Sequence, residues 1–352
     1  MIDVENRKKK AYNFFGDFMN IYVPDYFKKF RCVADRCPDT CCAGWEVYVD
    51  PESAEKYRKI GGNIGEKLKK VMVKDEDGDD IFTLTDCNRC PFLNDSNLCE
   101  LIKNCGEESV SKTCEMFPRY YEDFGDFREM GLGMGCPEAA RIILENDEPL
   151  DFVKYGRTDN TNKEVDGEFL EMLIGLRNMI FDILEDEESS FRNKIRDILE
   201  TVQDIQNELD RDVPDGLLNC NPDASADFQT CIDVLSDMEY IDVGRKKLFT
   251  SLDVKTPCRK IYKEYQKDFV KLMQYYTHRY LLQAVFDYDI LTKVKFGVFA
   301  CAVIGRLYTV EPDRVKAMYG YSKEVEYSDV NMDILDDALY YDFSAENLIN
   351  LF

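Results

Sequence analysis

The sequence predicts an α+β protein that is mainly α: a compact cysteine-rich metal-binding module followed by a mostly helical domain. Three observations predict it. Ten of the fourteen cysteines fall between Cys32 and Cys136, in a stretch broken by Pro24, Pro38, Pro51, Pro91, Pro118 and Pro137. Such punctuation makes short elements joined by turns. Beyond Pro149, apolar residues recur at spacings of three and four, the period of an amphipathic helix. No stretch alternates strand and helix as βαβ units, so a Rossmann or barrel fold has little support. With 352 residues, 45% of them hydrophobic, there is material for one large domain or two ordinary ones.

The elements follow in order. Residues 1–22 form an N-terminal arm or short helix with a basic "RKKK" start. Residues 23–146 hold the cysteine-rich module. Within it, "DPESAEKYRKI" (50–60) starts a helix, with Asp50 as N-cap and Pro51 at the first position. "KDEDGDD" (74–80) is a solvated hairpin tip; its acids look like part of a calcium loop, but the required twelfth-position Glu is missing. "CPEAARIILE" (136–145) opens another helix, with Pro137 and Glu138 in its first turn. Residues 147–352 form the mainly helical domain. Amphipathic helices are expected at 169–185, 191–209 and 263–286, and a buried one at 292–310.

Charge and compartment narrow the function. The formal net charge is −24, which argues against binding the nucleic-acid backbone and suits a basic partner. The N-terminus has no apolar core of a secretory signal. The longest apolar run, "FGVFACAVI" (296–304), is too short to cross a bilayer. A cytoplasmic protein is expected, and there thiols stay reduced.

Reduced, clustered cysteines favour metal ligation over disulfides. Cys32, Cys37, Cys41 and Cys42 come first, then Cys90 and Cys99, then Cys114 and Cys136. Thiolates are soft, charged donors suited to zinc or iron–sulfur clusters. The only histidine is His278, far from the cluster, so a zinc site would be all-cysteine or mixed with carboxylate. Adjacent cysteines seldom chelate one ion together; one of Cys41 and Cys42 can serve a cluster and the other a neighbouring site or the core. Cys87 and Cys90 have the two-residue gap common at zinc knuckles. Ligands so dispersed are gathered by folding, which makes the metal part of the fold's stability.

"FRCVADRCPDTCCAGW", "CPFLNDSNLCELIKNCGEE", "TCEMFPR" and "GCPEAAR" resemble, in order, the blocks of the flagellin lysine-N-methylase family. The first part is also similar to a broader group of cysteine-rich zinc- or iron-chelating domains. The specific likeness covers about residues 22–145, and a weaker one runs through 278–299. It implies S-adenosylmethionine-dependent methylation of flagellin lysines and a bound four-iron–four-sulfur cluster. The thiols at matching positions are Cys32, Cys37, Cys41, Cys42, Cys90, Cys99, Cys114 and Cys136. Cys87 and Cys105 depart from the pattern, Cys105 standing where an aliphatic residue is expected. Eight thiols exceed one four-iron cluster, so either a second metal is present or some thiols are structural.

The catalytic residues are less legible. Cys37 and Cys41 give the first gap of a radical S-adenosylmethionine motif, but the third spacing fails. "GLGMG" (131–135) has the glycines of a nucleotide loop, yet "FGDFREM" before it makes a poor buried strand. Methyl transfer needs a neutral lysine and hence a proton acceptor; Glu46, Glu107, Glu108, Tyr120, Tyr121 and Glu138 are candidates. Arg119 is a candidate clamp for the cofactor's carboxylate, and Arg119 and Glu138 form the expected cofactor contact. Each of these residues also has an ordinary structural use. Trp45 is expected to anchor the cluster fold, and His278 to be a satisfied core histidine. A cysteine hydrolase would want a histidine near its thiol and fits poorly. The rival reading is a non-catalytic zinc-binding module that docks a protein partner.

Overall fold

The structure, a computed structural model, describes residues 18–45, 47–161, 163–212, 226–255 and 258–352. Residues 1–17 of the expected arm, the candidate Glu46 and Cys220 lie outside the described residues. Residues 18–22 belong to a strand, β1 (Phe18–Pro24). In chain order there follow β2 (Val47–Tyr48), α1 (Pro51–Lys59), α2 (Gly62–Val71), β3 (Met72–Lys74), β4 (Asp80–Phe82), α3 (Glu100–Cys105) and α4 (Lys112–Met116). Next come β5 (Arg119–Phe124), β6 (Phe127–Leu132), α5 (Pro137–Glu145) and β7 (Phe152–Asp159). The remainder is helical: α6 (Gly167–Glu185), α7 (Phe191–Leu209), α8 (Phe228–Asp237), α9 (Val243–Thr250), α10 (Arg259–Glu264), α11 (Gln266–Tyr280), α12 (Ile290–Leu307), α13 (Arg314–Val325), α14 (Asp329–Tyr341) and α15 (Ala345–Ile349). The chain is thus α+β and mainly α. None of the described helices is long and apolar enough to cross a membrane.

A four-stranded sheet has the order β5-β6-β1-β7. β1 lies parallel to β6, with Asn20 opposite Phe127, and antiparallel to β7. Everything between β1 and β5 is therefore an excursion that leaves the sheet and returns to it, and it carries seven of the eight candidate thiols. β5 and β6 form a hairpin turned at Gly125, whose φ of +68° is the left-handed region a two-residue loop demands. This overturns the reading of "FGDFREM" as a poor strand. Phe124, Phe127, Glu129 and Met130 are all buried there. Buried Glu129 is neutralised by two hydrogen bonds from Arg177 on α6, at 2.7 and 2.9 Å.

The excursion has its own small sheet, β2-β4-β3, and its own core. Val47, Val49, Ala54, Tyr57, Leu68, Phe82, Cys90, Phe92 and Leu101 close on one another, with Cys42 and Cys99 packed against them. Asp50 caps α1 by accepting from Ser53 N, and it also accepts from the Lys112 backbone at 2.9 Å, which ties α4 to α1. The "KDEDGDD" segment is the tip joining antiparallel β3 and β4, as the sequence predicts.

A second, larger core joins the four-stranded sheet, α5 and the helical remainder. α6, α7 and α5 lie where the periodicity predicts them. α12 is buried at every residue but Lys293, which is why its apolar residues show no stripe. The 263–286 stretch is not one helix. Tyr265 leaves the helical region (φ −111°, ψ 30°), so α10 ends before it and α11 begins after it. A 3-10 turn, Leu281–Val285, finishes the segment.

Candidate metal centre

Local backbone chemistry sets the position of each candidate thiol. Cys37 ends a short 3-10 turn, its N–H bonded to Ala34 O at 3.0 Å and its Sγ donating to Asp39 O at 3.1 Å. Cys41 and Cys42 follow on a turn that pairs with the segment before Cys90. Cys90 N donates to Cys42 O at 2.8 Å, Ala43 bridges Arg89, and Gly44 N donates to Asn88 O at 2.9 Å. Gly44 needs its freedom, with φ +99° and a Cβ position already filled by Ile241. Cys90 then opens a tight turn closed by Leu93 N, and Leu93 bridges Cys99. Cys114 lies in α4, its N–H bonded to the capping Ser111 hydroxyl. Cys136 precedes α5, and the backbone N–H groups of Glu138 and Ala139 face its sulfur.

The eight thiols divide into two neighbourhoods. Cys136 lies within electrostatic reach of Cys37 and Cys32, and Cys41 within reach of Cys136 and Cys32. Cys90 senses Cys42, Cys114 and Cys99, and Cys114 senses Cys42 and Cys99. Adjacent Cys41 and Cys42 touch each other, so the two neighbourhoods meet at this pair. Each neighbourhood has one buried thiol (Cys136, Cys90), two half-buried ones (Cys37 and Cys41; Cys42 and Cys99) and one at the surface (Cys32, Cys114).

Burial pushes the Cys90 thiol up to about 12 and that of Cys136 up to about 11. Cys42 moves the other way. The Cys41 thiol beside it, the Thr40 hydroxyl, Arg89 and Lys323 favour its thiolate, while that same contact and burial raise Cys41. Binding a soft metal would therefore displace protons from most of these sulfurs.

The donor chemistry fits a thiolate-bound metal, and so does an orphaned polar atom. Among the described residues the Tyr57 hydroxyl is buried without a hydrogen-bond partner, within electrostatic reach of Cys114, Cys99 and Cys90. A buried hydroxyl left unpaired is costly unless something accepts from it, and ligated sulfur is an acceptor. Among the described residues, no three Cys, His, Asp or Glu side chains converge on one ligating point. The thiols are gathered without being closed round a centre. Cys87 is exposed and Cys105 half-buried at the end of α3; Cys231, Cys258 and Cys301 are buried in the helical half.

The other candidates disperse. Arg119 stacks on Phe27 and Phe30, 5.9 and 5.1 Å from their centroids, and donates to Glu115 O. Glu138 pairs with Arg141 at 2.7 Å on the surface of α5. No hydrogen bond or ion pair joins Arg119 to Glu138 among the described residues. The "GLGMG" glycines are not an open cradle. Side-chain atoms of Tyr120, Tyr327 and Arg279 occupy the places their Cβ atoms would take, so the loop does not fit a nucleoside. Tyr120 is half-buried, with its hydroxyl enclosed 3.2 Å from His278 Nδ1. Tyr121 is exposed, with Arg128 over its ring. Glu107 and Glu108 sit on an exposed 3-10 turn. His278 is buried as expected, but among the described residues its Nε2 has no hydrogen-bond partner and lies 3.7 Å from Glu129.

Sequence reasoning missed the contacts that fasten the cysteine loop to the helical half. Asp39, inside "CPDTCC", accepts from Lys323 Nζ at 2.8 Å and pairs with Arg245, which also pairs with Glu324 at 3.0 Å. Trp45 stacks on Tyr327 with centroids 5.9 Å apart, and Lys323 Nζ sits 5.0 Å above the Trp45 ring. Trp45 thus anchors the cluster loop to the helices. Behind it, buried Glu326 accepts from Tyr275, Tyr276 and Tyr280 at 2.8–3.0 Å and pairs with Arg279.

Relatives give this arrangement a context. Two proteins named Lysine-N-methylase, from Salmonella typhimurium and Salmonella choleraesuis, are each 27% identical over 137 residues, which is 38% of this chain and 34% of theirs. A "Flagellar biosynthetic protein FliU" from Salmonella muenchen is 27% identical over 140 residues, 38% of this chain and 81% of its own. The match thus spans about a third of the length of the two lysine-N-methylases. No family model matches the chain, and no solved structure matches it. Over the matched part, about two-fifths of its length, the chain is similar to proteins named Lysine-N-methylase.

Proposed function

We propose that the protein is an S-adenosylmethionine-dependent protein-lysine N-methyltransferase that acts on flagellin and carries a cysteine-bound iron–sulfur centre. The observation that carries this reading is the likeness to two proteins named Lysine-N-methylase. The flagellar name of the third relative supports the substrate. The gathered thiols support the metal, with zinc as the alternative. A surface that leaves the chain at net charge −24 draws a lysine-bearing segment toward it.

S-adenosylmethionine supplies the electrophilic methyl group. The residues of the chain must bind the lysine neutral, against its ordinary pKa of about 10.4, and accept its proton. Tyr120 is a poor acceptor because burial raises its hydroxyl well above the ordinary value. Buried Glu326 already accepts from three tyrosines. The exposed acids Glu107 and Glu108, in the cysteine-bearing excursion, are carboxylate candidates for that acceptor.

The test is transfer of a labelled methyl group from S-adenosylmethionine to flagellin by anaerobically purified protein, with mass spectrometry of the lysines. Label on flagellin lysines is expected. Metal-loaded, folded protein that binds flagellin but transfers nothing would overturn the reading in favour of a docking module. Visible absorption that bleaches on reduction is expected for iron–sulfur; a colourless, zinc-loaded protein would remove the cluster.

A further inference from the structure

We infer that Arg306 holds a small monovalent anion, a halide or a carboxylate, inside the helical half of the protein between α8, α10 and α12. The site takes in none of the eight candidate thiols and does not depend on methyl transfer.

Arg306 stands in the last turn of α12 and is only 7% exposed. Its guanidinium lies 4.5 Å from the centroid of the Phe228 ring on α8, and the Cys258 sulfur, at the start of α10, lies against it. Phe228 and Cys258 both belong to the large core. Nearby Tyr262 is turned away, its hydroxyl donating to the Cys301 and Ala302 carbonyls at 3.5 and 3.4 Å. Among the described residues, Nε and Nη1 of Arg306 are buried and have no hydrogen-bond partner. The other buried cations are all served. Arg177 meets Glu129, and Lys323 meets Asp39. Lys194 donates to the Ile183 and Asp186 carbonyls, and Lys295 to those of Leu339 and Phe343. Arg306 alone among these five has neither a carboxylate nor a carbonyl bonded to it within the described residues.

A guanidinium does not give up its proton in a protein, and a buried charge left unbalanced is too costly to keep. The surroundings do not balance this one. Burial pushes the Cys258 and Cys231 thiols up, so both stay neutral. The C-terminal end of α12 offers about half an elementary charge at most. Asp227 caps α8, accepting from Gln229 N at 2.8 Å and Thr230 N at 3.3 Å, and Asp253 accepts from Lys255 N at 2.8 Å. What is missing is one negative charge that accepts hydrogen bonds. The guanidinium itself repels a metal cation. Two free donor nitrogens satisfy one halide ion or one carboxylate. A phosphate would bring further oxygens, and these would be left unpaired against Phe228 and the thiols.

The test is urea denaturation of the full-length protein at fixed pH and ionic strength, with chloride, formate or acetate replacing a bulky sulfonate anion. Fixed ionic strength removes the general screening that a chain of net charge −24 would otherwise show. The wild-type midpoint should rise with the small anion and then level off, as single-site binding to the folded state requires. A rise with chloride alone identifies a halide site; a rise with formate or acetate alone identifies a carboxylate site. Arg306→Met replaces the charge with apolar volume and should fold, but without that rise. A wild-type midpoint indifferent to all three anions, or an equal rise in Arg306→Met, would overturn the site. Should Arg306→Met not fold, Arg306→Lys takes its place. It keeps the charge but loses the planar set of donors, so the rise should need about tenfold more anion, a loss of about 1.4 kcal/mol in binding. An unchanged curve in Arg306→Lys would count against the site as firmly.

Discussion

Asp39 and Lys323 meet at 2.8 Å across 284 positions of sequence. The carboxylate is two residues before Cys41, and the ammonium belongs to α13, so one ion pair binds the cysteine loop to the helical half. Burial alone would raise the Asp39 carboxyl, but hydrogen bonds from Lys323 and Arg245 outweigh it and hold it below the ordinary value. Asp39→Ala leaves Lys323 without its carboxylate in a partly buried site and leaves Arg245 with Glu324 alone. The expected cost is about 3 kcal/mol, read as a lower urea midpoint. The carboxylate's contribution is present above the unfolded pKa and lost as pH falls through the folded one. Asp39→Ala should therefore cost less in acid than at neutral pH, and an unchanged midpoint at pH 7 would count against the tether.

Histidine gives a pH signature that can be assigned without ambiguity, since His278 is the only one in the chain. Burial, together with Arg177 and Arg279, holds its pKa well below 6.5. The unfolded chain therefore takes up a proton that the folded chain refuses. Stability attributable to His278 should fall as pH drops below about 6.5, approaching about 1.4 kcal/mol per pH unit. Denaturation midpoints of wild type and His278→Gln between pH 7.5 and 5.5 check this; parallel curves would refute it.

The Glu129–Arg177 pair is bidentate and almost completely buried. Glu129→Ala should cost about 3–5 kcal/mol, because it leaves a buried guanidinium unpaired. Glu129→Leu combined with Arg177→Met should restore much of that loss. Equal instability of the single and double variants, measured by urea denaturation, would show that packing rather than charge is responsible.

Gly133 makes room for the Tyr327 hydroxyl. Gly133→Ala should cost about 1–3 kcal/mol through overpacking, and Tyr327→Phe in the same chain should recover part of it. The absence of any recovery in thermal melts would mean that another neighbour resists the methyl group.

The sequence made some of this visible and concealed the rest for identifiable reasons. Asp50, Pro51 and the 3.6-residue rhythm of 169–185 are local signals, and α1 and α6 appear where those signals put them. Cysteine clustering pointed to the segment and the family resemblance to eight thiols within it, but how they sit depends on contacts such as the Cys42–Cys90 backbone bond and on the placement of Cys136 before α5. β6 was hidden because Glu129 looks too polar for a buried strand until Arg177, 48 positions away, is known to meet it. The "GLGMG" glycines suggested a ligand loop, yet their space is filled by tyrosines from other elements. Asp39 looked like an ordinary loop acid because both its cations lie more than 200 positions further on.

The Asp39 tether has a consequence for the order of biosynthesis. A ribosome releases the chain from its N-terminus, so Cys42, Cys90, Cys99 and Cys114 are all in hand once residue 114 has emerged. Cys37 and Cys41 are made earlier, but their loop gains its grip on Arg245 and Lys323 only after more than 200 further residues have emerged. Through that interval these thiols stay exposed to whatever metal, oxidant or chaperone reaches the nascent chain first.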